Sequence, residues 1–130
     1  MAEAIRVYAR YDLPDEKGET RRTRNERFDF KDSPKLEIPS AGEYIWDLFT
    51  QLSNAIHRID FNGYYYTFPP SDIVSWCKLT NNDITPREYD MILAMDRAFC
   101  SELNKDKNAR DNKKFEEQKR EMESKSRRRR

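Results

Sequence analysis

Apolar residues recur at helical spacing in three short segments of this chain and thin out on either side. Tyr44, Ile45, Leu48, Phe49, Leu52, Ile56 and Ile59 hold one face for about four turns. Ser40 followed by Glu43 has the capping-box pattern, with Ile38 near the position of a hydrophobic staple. A first helix is predicted over 40–60, ended by Asn62-Gly63, a pair suited to positive backbone dihedrals. Pro69-Pro70 leads into a second, short helix over 70–79, with Ile73, Trp76, Cys77 and Leu79 facing inward. Thr85 as cap, Pro86 at the first helical position and Glu88 three residues on start a third helix over 86–104. Its predicted buried stripe is Tyr89, Ile92, Leu93, Ala94, Phe99, Cys100 and Leu103, with Met95 at the margin. Three one-sided apolar faces joined by short loops predict an all-α fold with a small three-helix core.

The flanks read differently. Over 1–13, Ile5, Val7, Tyr8, Tyr11 and Leu13 alternate weakly with charged residues, which fits either a short strand or a loose arm; the arm is the expectation. Residues 14–39 are punctuated by Pro14, Gly18, Pro34 and Pro39 and carry four arginines, the composition of a mobile linker. Phe28 and Phe30 within it fit either a local ladder or docking on the core. Beyond Asn104, Phe115 and Met122 are the remaining large apolar residues. Pairs such as Lys113/Glu117 and Glu116/Arg120 support a solvated helix by roughly 0.2–0.5 kcal/mol each. With little to bury, that helix is expected to fray, or to form on a partner. The organisation expected is therefore an extended N-terminal arm (1–39), a helical core domain (40–104) and a charged basic C-terminal helix or disordered tail (105–130).

Composition supports this division. Only 36% of the 130 residues are hydrophobic and 38% are charged, too polar a balance for a fully packed globule of this length. The net charge of +1 hides an asymmetry. Residues 105–130 carry 12 Lys or Arg against 6 Asp or Glu, a net of +6, and residues 1–104 carry 13 against 18, a net of −5. Cys77 and Cys100 have neither CxxC spacing nor a partner histidine, so they are expected as free thiols in a reducing cytoplasm rather than as zinc ligands. No apolar run reaches the roughly 20 residues of a membrane span, and the first ten residues lack a signal peptide's apolar region.

Candidate chemistry is scarce. His57, the single histidine, has no nucleophile or carboxylate pair near it in the sequence. Asp90 and Asp96 lie six apart on one helix and face different directions. Asp96 sits beside the apolar stripe, where a polar group takes a specific hydrogen bond, for example from Arg97, a tyrosine hydroxyl, Trp46 or Trp76. Three isolated glycines make no phosphate loop. No enzyme, metal or cofactor is expected. The helix pair around Asn81-Asn82-Asp83 raises a helix-turn-helix reading, but its second helix sets Arg87 and Arg97 against Glu88, Asp90, Asp96 and Glu102, the wrong sign for phosphate. What remains are binding surfaces. Trp46, partly off its stripe, and Tyr65, Tyr66 and Phe68 of the aromatic connection are the candidate partner anchors. Arg127, Arg128, Arg129 and Arg130 form an electrostatic tail for an acidic protein or, in the alternative reading, a nucleic-acid-binding regulator.

A family likeness rests on four blocks. They are Pro39 followed by Tyr44-Ile45-Trp46-Asp47-Leu48-Phe49, then Ile73-Val74-Ser75-Trp76 with Leu79-Thr80, then Thr85-Pro86-Arg87-Glu88, then Met95-Asp96-Arg97-Ala98-Phe99. Together they resemble the small tail assembly chaperones of long-tailed bacteriophages, encoded near the tape-measure gene, over about half the chain. The resemblance implies a non-enzymatic helical protein of the host cell cytoplasm that binds the tape-measure protein or tail-tube subunits. In several such phages the chaperone is made in short and frameshift-extended forms, so the resemblance also admits a frameshift-related companion chain. The N-terminal arm and the arginine-rich tail lie outside it.

Overall fold

A computed structural model of the chain describes residues 1–31 and 33–129. It is all-helical, with no strand among the described residues. The elements are α1 (Ala2–Val7), running on as one π-helical turn (Tyr8–Asp12), α2 (Arg21–Arg27), α3 (Glu43–Ala55), α4 (Pro70–Thr80) and α5 (Pro86–Arg128).

The expected extended arm is the largest departure. Residues 2–12 are helical, and Ile5 and Ala9 join the core formed by α3, α4 and α5. Ile5 is wholly buried, so the weak alternation over 1–13 is one buried helical face too short to show its period. The predicted three core helices are present, and a fourth packs with them. Arg10 anchors it by donating to Glu102 of α5 at 3.1 Å. Residues 14–39 are not wholly irregular either, because Thr20 caps α2 by accepting from the Thr23 amide.

The first core helix is shorter than predicted. Ser40–Gly42 is a 3-10 turn in which Ser40 makes no capping bond, and α3 ends at Ala55, where Ile56 turns extended. Asn62-Gly63 therefore does not end a helix but closes a tight turn. Asp60 donates its amide to the Tyr64 carbonyl at 2.8 Å, and its Oδ1 accepts from the Asn62 and Tyr64 amides. Gly63 takes the positive φ of 82° that this turn needs. A second Asp-x-x-Gly turn repeats the pattern at Asp15–Gly18, where Asp15 Oδ1 accepts from the Lys17 and Glu19 amides.

α4 buries Ile73 and Trp76 as predicted, but Leu79 points out to solvent with 87% of its surface exposed. The α4 helix stops where Asn81 adopts the left-handed conformation. α5 opens on the predicted capping box, Thr85 accepting from the Glu88 amide while Glu88 accepts from the Thr85 amide. On its inner face Met95 is buried and Ala94 exposed, the reverse of the sequence expectation. α5 then continues unbroken to Arg128, so residues 105–128 are helix rather than disordered tail. Once the packed half has nucleated it, each further Lys, Glu, Arg or Gln extends the helix at little cost.

Candidate functional site

The connection between α3 and α4 organises the molecule. It carries Arg58, which is 3% exposed, and α5 meets it with Asp96, which is fully buried. The two form an ion pair. Arg58 also donates to Ser53 Oγ at 2.9 Å and lies over three aromatic rings, 4.0 Å from the Phe68 centroid, 4.5 Å from Phe99 and 5.5 Å from Phe49. Their electron-rich faces supply the remaining solvation of the cation. Asp96 accepts the Phe68 amide at 2.7 Å, fixing the connection at a second point. Burial pushes the Arg58 guanidinium down to about 10, a fall partly offset by Cys100 and Tyr65, and it stays charged at neutral pH. Burial pushes the Cys100 thiol up against the pull of Arg58, so it is a neutral thiol and a poor nucleophile.

Further along α5, Asn104 clamps the same connection by accepting from the Tyr65 amide and donating to the Tyr65 carbonyl, both at 2.9 Å. Tyr64 donates to Asp111 at 2.7 Å. Glu102, between Arg10 and Lys105, is pushed up by burial, but the hydrogen bonds from those two cations outweigh it and hold the carboxyl below its ordinary range.

This scaffold holds an aromatic surface. Trp46 packs edge-on against Tyr8 at 5.4 Å between centroids. Tyr8 and Tyr65 line one hollow of about 360 Å³ with Ile59 and His57. Tyr66 is exposed and its hydroxyl donates to the His57 carbonyl at 3.4 Å. Phe61, at the tip of the Asp60–Gly63 turn, has no protein cover at all. Of the four aromatic residues singled out by sequence, Tyr65 lines this hollow, Trp46 packs on Tyr8 at its edge, and Tyr66 is exposed beside the His57 carbonyl. Phe68 is separate: it is 3% exposed, under Arg58 and edge-on to Phe49, and serves the core. Sequence reasoning missed Phe61 and Tyr8. The Asp-x-x-Gly pattern would have placed Phe61 at an exposed turn tip, whereas nothing local marks Tyr8.

A second concave surface, an open groove of about 850 Å³, lies between α4 and the start of α5. Ile73, Val74, Cys77, Ile84 and Tyr89 form its apolar lining. The tail arginines Arg127, Arg128 and Arg129 are exposed at the end of α5, away from both surfaces, and Arg130 lies outside the described residues. Among the described residues no three His, Cys, Asp or Glu side chains cluster to hold a metal ion. No helix among them is long and apolar enough to cross a membrane. Asp96 takes the hydrogen bond expected of it, but from Arg58 and the Phe68 amide rather than from Arg97, a tyrosine or a tryptophan.

One family model, described as phage tail assembly chaperone, matches residues 21–101. The matched span runs from the start of α2 into the buried part of α5, and so contains the Arg58–Asp96 pair, the α4–α5 groove and the lining of the hollow other than Tyr8 and Leu13. No curated protein and no solved structure matches the chain.

Proposed function

The chain belongs to the phage tail assembly chaperone family, and from that premise we propose that it binds an apolar helical segment of the tape-measure protein in the host cytoplasm and keeps it soluble until the tail tube encloses it. The family's role is one of binding, and the observation that carries the reading is the aromatic surface inside the matched span. Tyr66 and Phe61 project from a connection that Arg58, Asp96 and Asn104 pin to α5, Tyr65 lines the hollow beside them, and Tyr8 links that hollow to Trp46. Rigid aromatic side chains on a fixed backbone give up little conformational freedom on binding, which is what makes them effective anchors. The buried ion pair serves this surface indirectly, holding the presenting loop without itself touching the partner.

Co-expression with the tape-measure protein tests this. The expected result is a soluble complex that co-purifies. Tyr66→Ser and Phe61→Ser, which change exposed side chains only, are expected to weaken the complex about tenfold or more, the effect of removing interface anchors. A tape-measure protein that stays insoluble and never co-purifies overturns the proposal. A complex indifferent to both substitutions overturns the assignment to this surface.

A further inference from the structure

The connection between α3 and α4 folds back on itself as a short hairpin. The Tyr66 amide donates to the Arg58 carbonyl at 3.0 Å, and the Asp60 amide to the Tyr64 carbonyl at 2.8 Å. Between these two bonds Ile59 and Tyr65 stand opposite each other as an antiparallel pair. In such a pair the two residues do not bond each other, so their own amides and carbonyls point outward, one set to each edge of the hairpin. The two edges are finished differently. On the Tyr65 edge the Asn104 carboxamide takes both groups, accepting from the amide and donating to the carbonyl at 2.9 Å each. A side-chain amide there does what a residue of a neighbouring strand does. On the Ile59 edge neither the amide nor the carbonyl has a hydrogen-bond partner among the described residues.

Native proteins guard a bare edge with proline, lysine or a covering segment. Residues 57–61 hold neither proline nor lysine, and His57, Ile59 and Phe61 are exposed. The edge is also fixed before anything binds it: Asp96 holds Arg58, Lys107 lies 4.8 Å from the Tyr64 ring centroid, and Tyr64 donates to Asp111. Ile59 and Tyr65 line the hollow of about 360 Å³ together with Tyr8, Leu13 and Ile56. Residues opposed across antiparallel strands set their side chains on one face, so a residue paired with Ile59 turns its side chain to the face that borders this hollow. We propose that the Ile59 edge takes an extended segment of the tape-measure protein as an added strand, one residue of which exchanges both backbone bonds with Ile59 and offers an apolar side chain to the hollow. This rests on the binding of that protein proposed above and adds an extended contact to the helical one. Main-chain bonds supply affinity, and the hollow selects an apolar residue at one position. The strand comes from a different chain because this one has none free. Its own extended stretch, residues 33–39, contains Pro34 and Pro39, which have no amide to donate, and Leu36 and Ile38 are already partly buried.

Exchange of the Ile59 amide, read by NMR in the free full chain and in its co-expressed complex with the tape-measure protein, tests this. The expected result is free exchange in the chain alone and exchange about tenfold or more slower in the complex. Ile59→Pro removes an amide that no internal bond uses, and is expected to weaken the complex about tenfold. Ile59→Val keeps both the amide and a branched side chain, and is expected to change the affinity by less than about threefold. The exchange measurement uses the unsubstituted chain, so its answer does not depend on how the proline variant folds. An Ile59 amide that exchanges equally fast in the free chain and in a soluble complex overturns this inference alone, as does a complex that tolerates proline as well as valine. Protection of Ile59 that instead rises with the concentration of the chain by itself assigns the edge to a second copy and also overturns it. A tape-measure protein that forms no complex overturns the binding reading, and this inference with it.

Discussion

α5 is one unbroken helix with two halves that are held in different ways. From Ile92 to Leu103 it lies against α1 and α3, burying Ile92, Met95 and Phe99 together with the carboxylate of Asp96. From Asn112 to Arg129 the chain buries nothing. The first half is helical because tertiary packing selects one face; the second is helical because it propagates from the first through good helix formers and i,i+4 pairs such as Glu116–Arg120 at 3.9 Å. The contrast separates two uses of charge. A charge in the packed half needs a partner of opposite sign within the core, whereas a charge in the free half is open to a partner from outside.

The packed half breaks most readily at Asp96. Asp96→Asn keeps an acceptor for the Phe68 amide but leaves Arg58 charged and unpaired under three aromatic rings. A loss of about 3–5 kcal/mol is expected in denaturant unfolding. Replacing both partners, Arg58→Met with Asp96→Leu, is expected to recover much of that loss, which separates the cost of an orphaned charge from the worth of the pair. Thr85→Ala removes one arm of the capping box at the other end of the same half and is expected to cost about 1 kcal/mol.

A smaller effect sits where α1 meets α5. Glu102 has a carboxyl held below its ordinary value of 4.5 in the fold. The charged form therefore stabilises the docked α1 above about pH 4.5, and that contribution is lost as the pH falls through the lowered folded value. Because Arg10 is 42% exposed, the gain is no more than about 1 kcal/mol. Glu102→Gln is expected to flatten this part of the stability–pH profile. The smallest effect belongs to the free half. Ending the chain after Asp111 is expected to change the stability of the body by less than about 0.5 kcal/mol, read as an unchanged denaturation midpoint. A larger loss would show that the two halves are less separate than their contacts indicate.

What is legible in the sequence follows the same division. Thr85-Pro86-Arg87-Glu88 is readable because a cap is local: all its partners lie within four residues. The helical stripes of α3 and α5 are readable because they persist for several turns. α1 is not, since Ala4, Ile5 and Ala9 make too short a stripe to beat its polar neighbours, and only packing against α5 fixes it. Arg58 escapes notice for a different reason. In the run Ile56-His57-Arg58-Ile59 an arginine reads as surface, and its burial depends on a carboxylate and three aromatic rings brought from three other parts of the chain. Asp96 stands out as a polar residue in an apolar stripe, but its partner is not deducible from spacing. The aromatic surface is half legible: composition flags Tyr65 and Tyr66, while the turn that exposes Phe61 and the burial that removes Phe68 both belong to tertiary structure.

Amide hydrogen exchange on the full chain in dilute solution tests this division of α5 most directly. The expected result at low concentration is protection approaching that of global unfolding for amides near Leu48–Leu52 and Ile92–Leu103, with exchange beyond Asn112 faster by several orders of magnitude. Full protection to Arg128 in the dilute monomer would contradict the division, since it would mean that the outer half of α5 is held by the body after all.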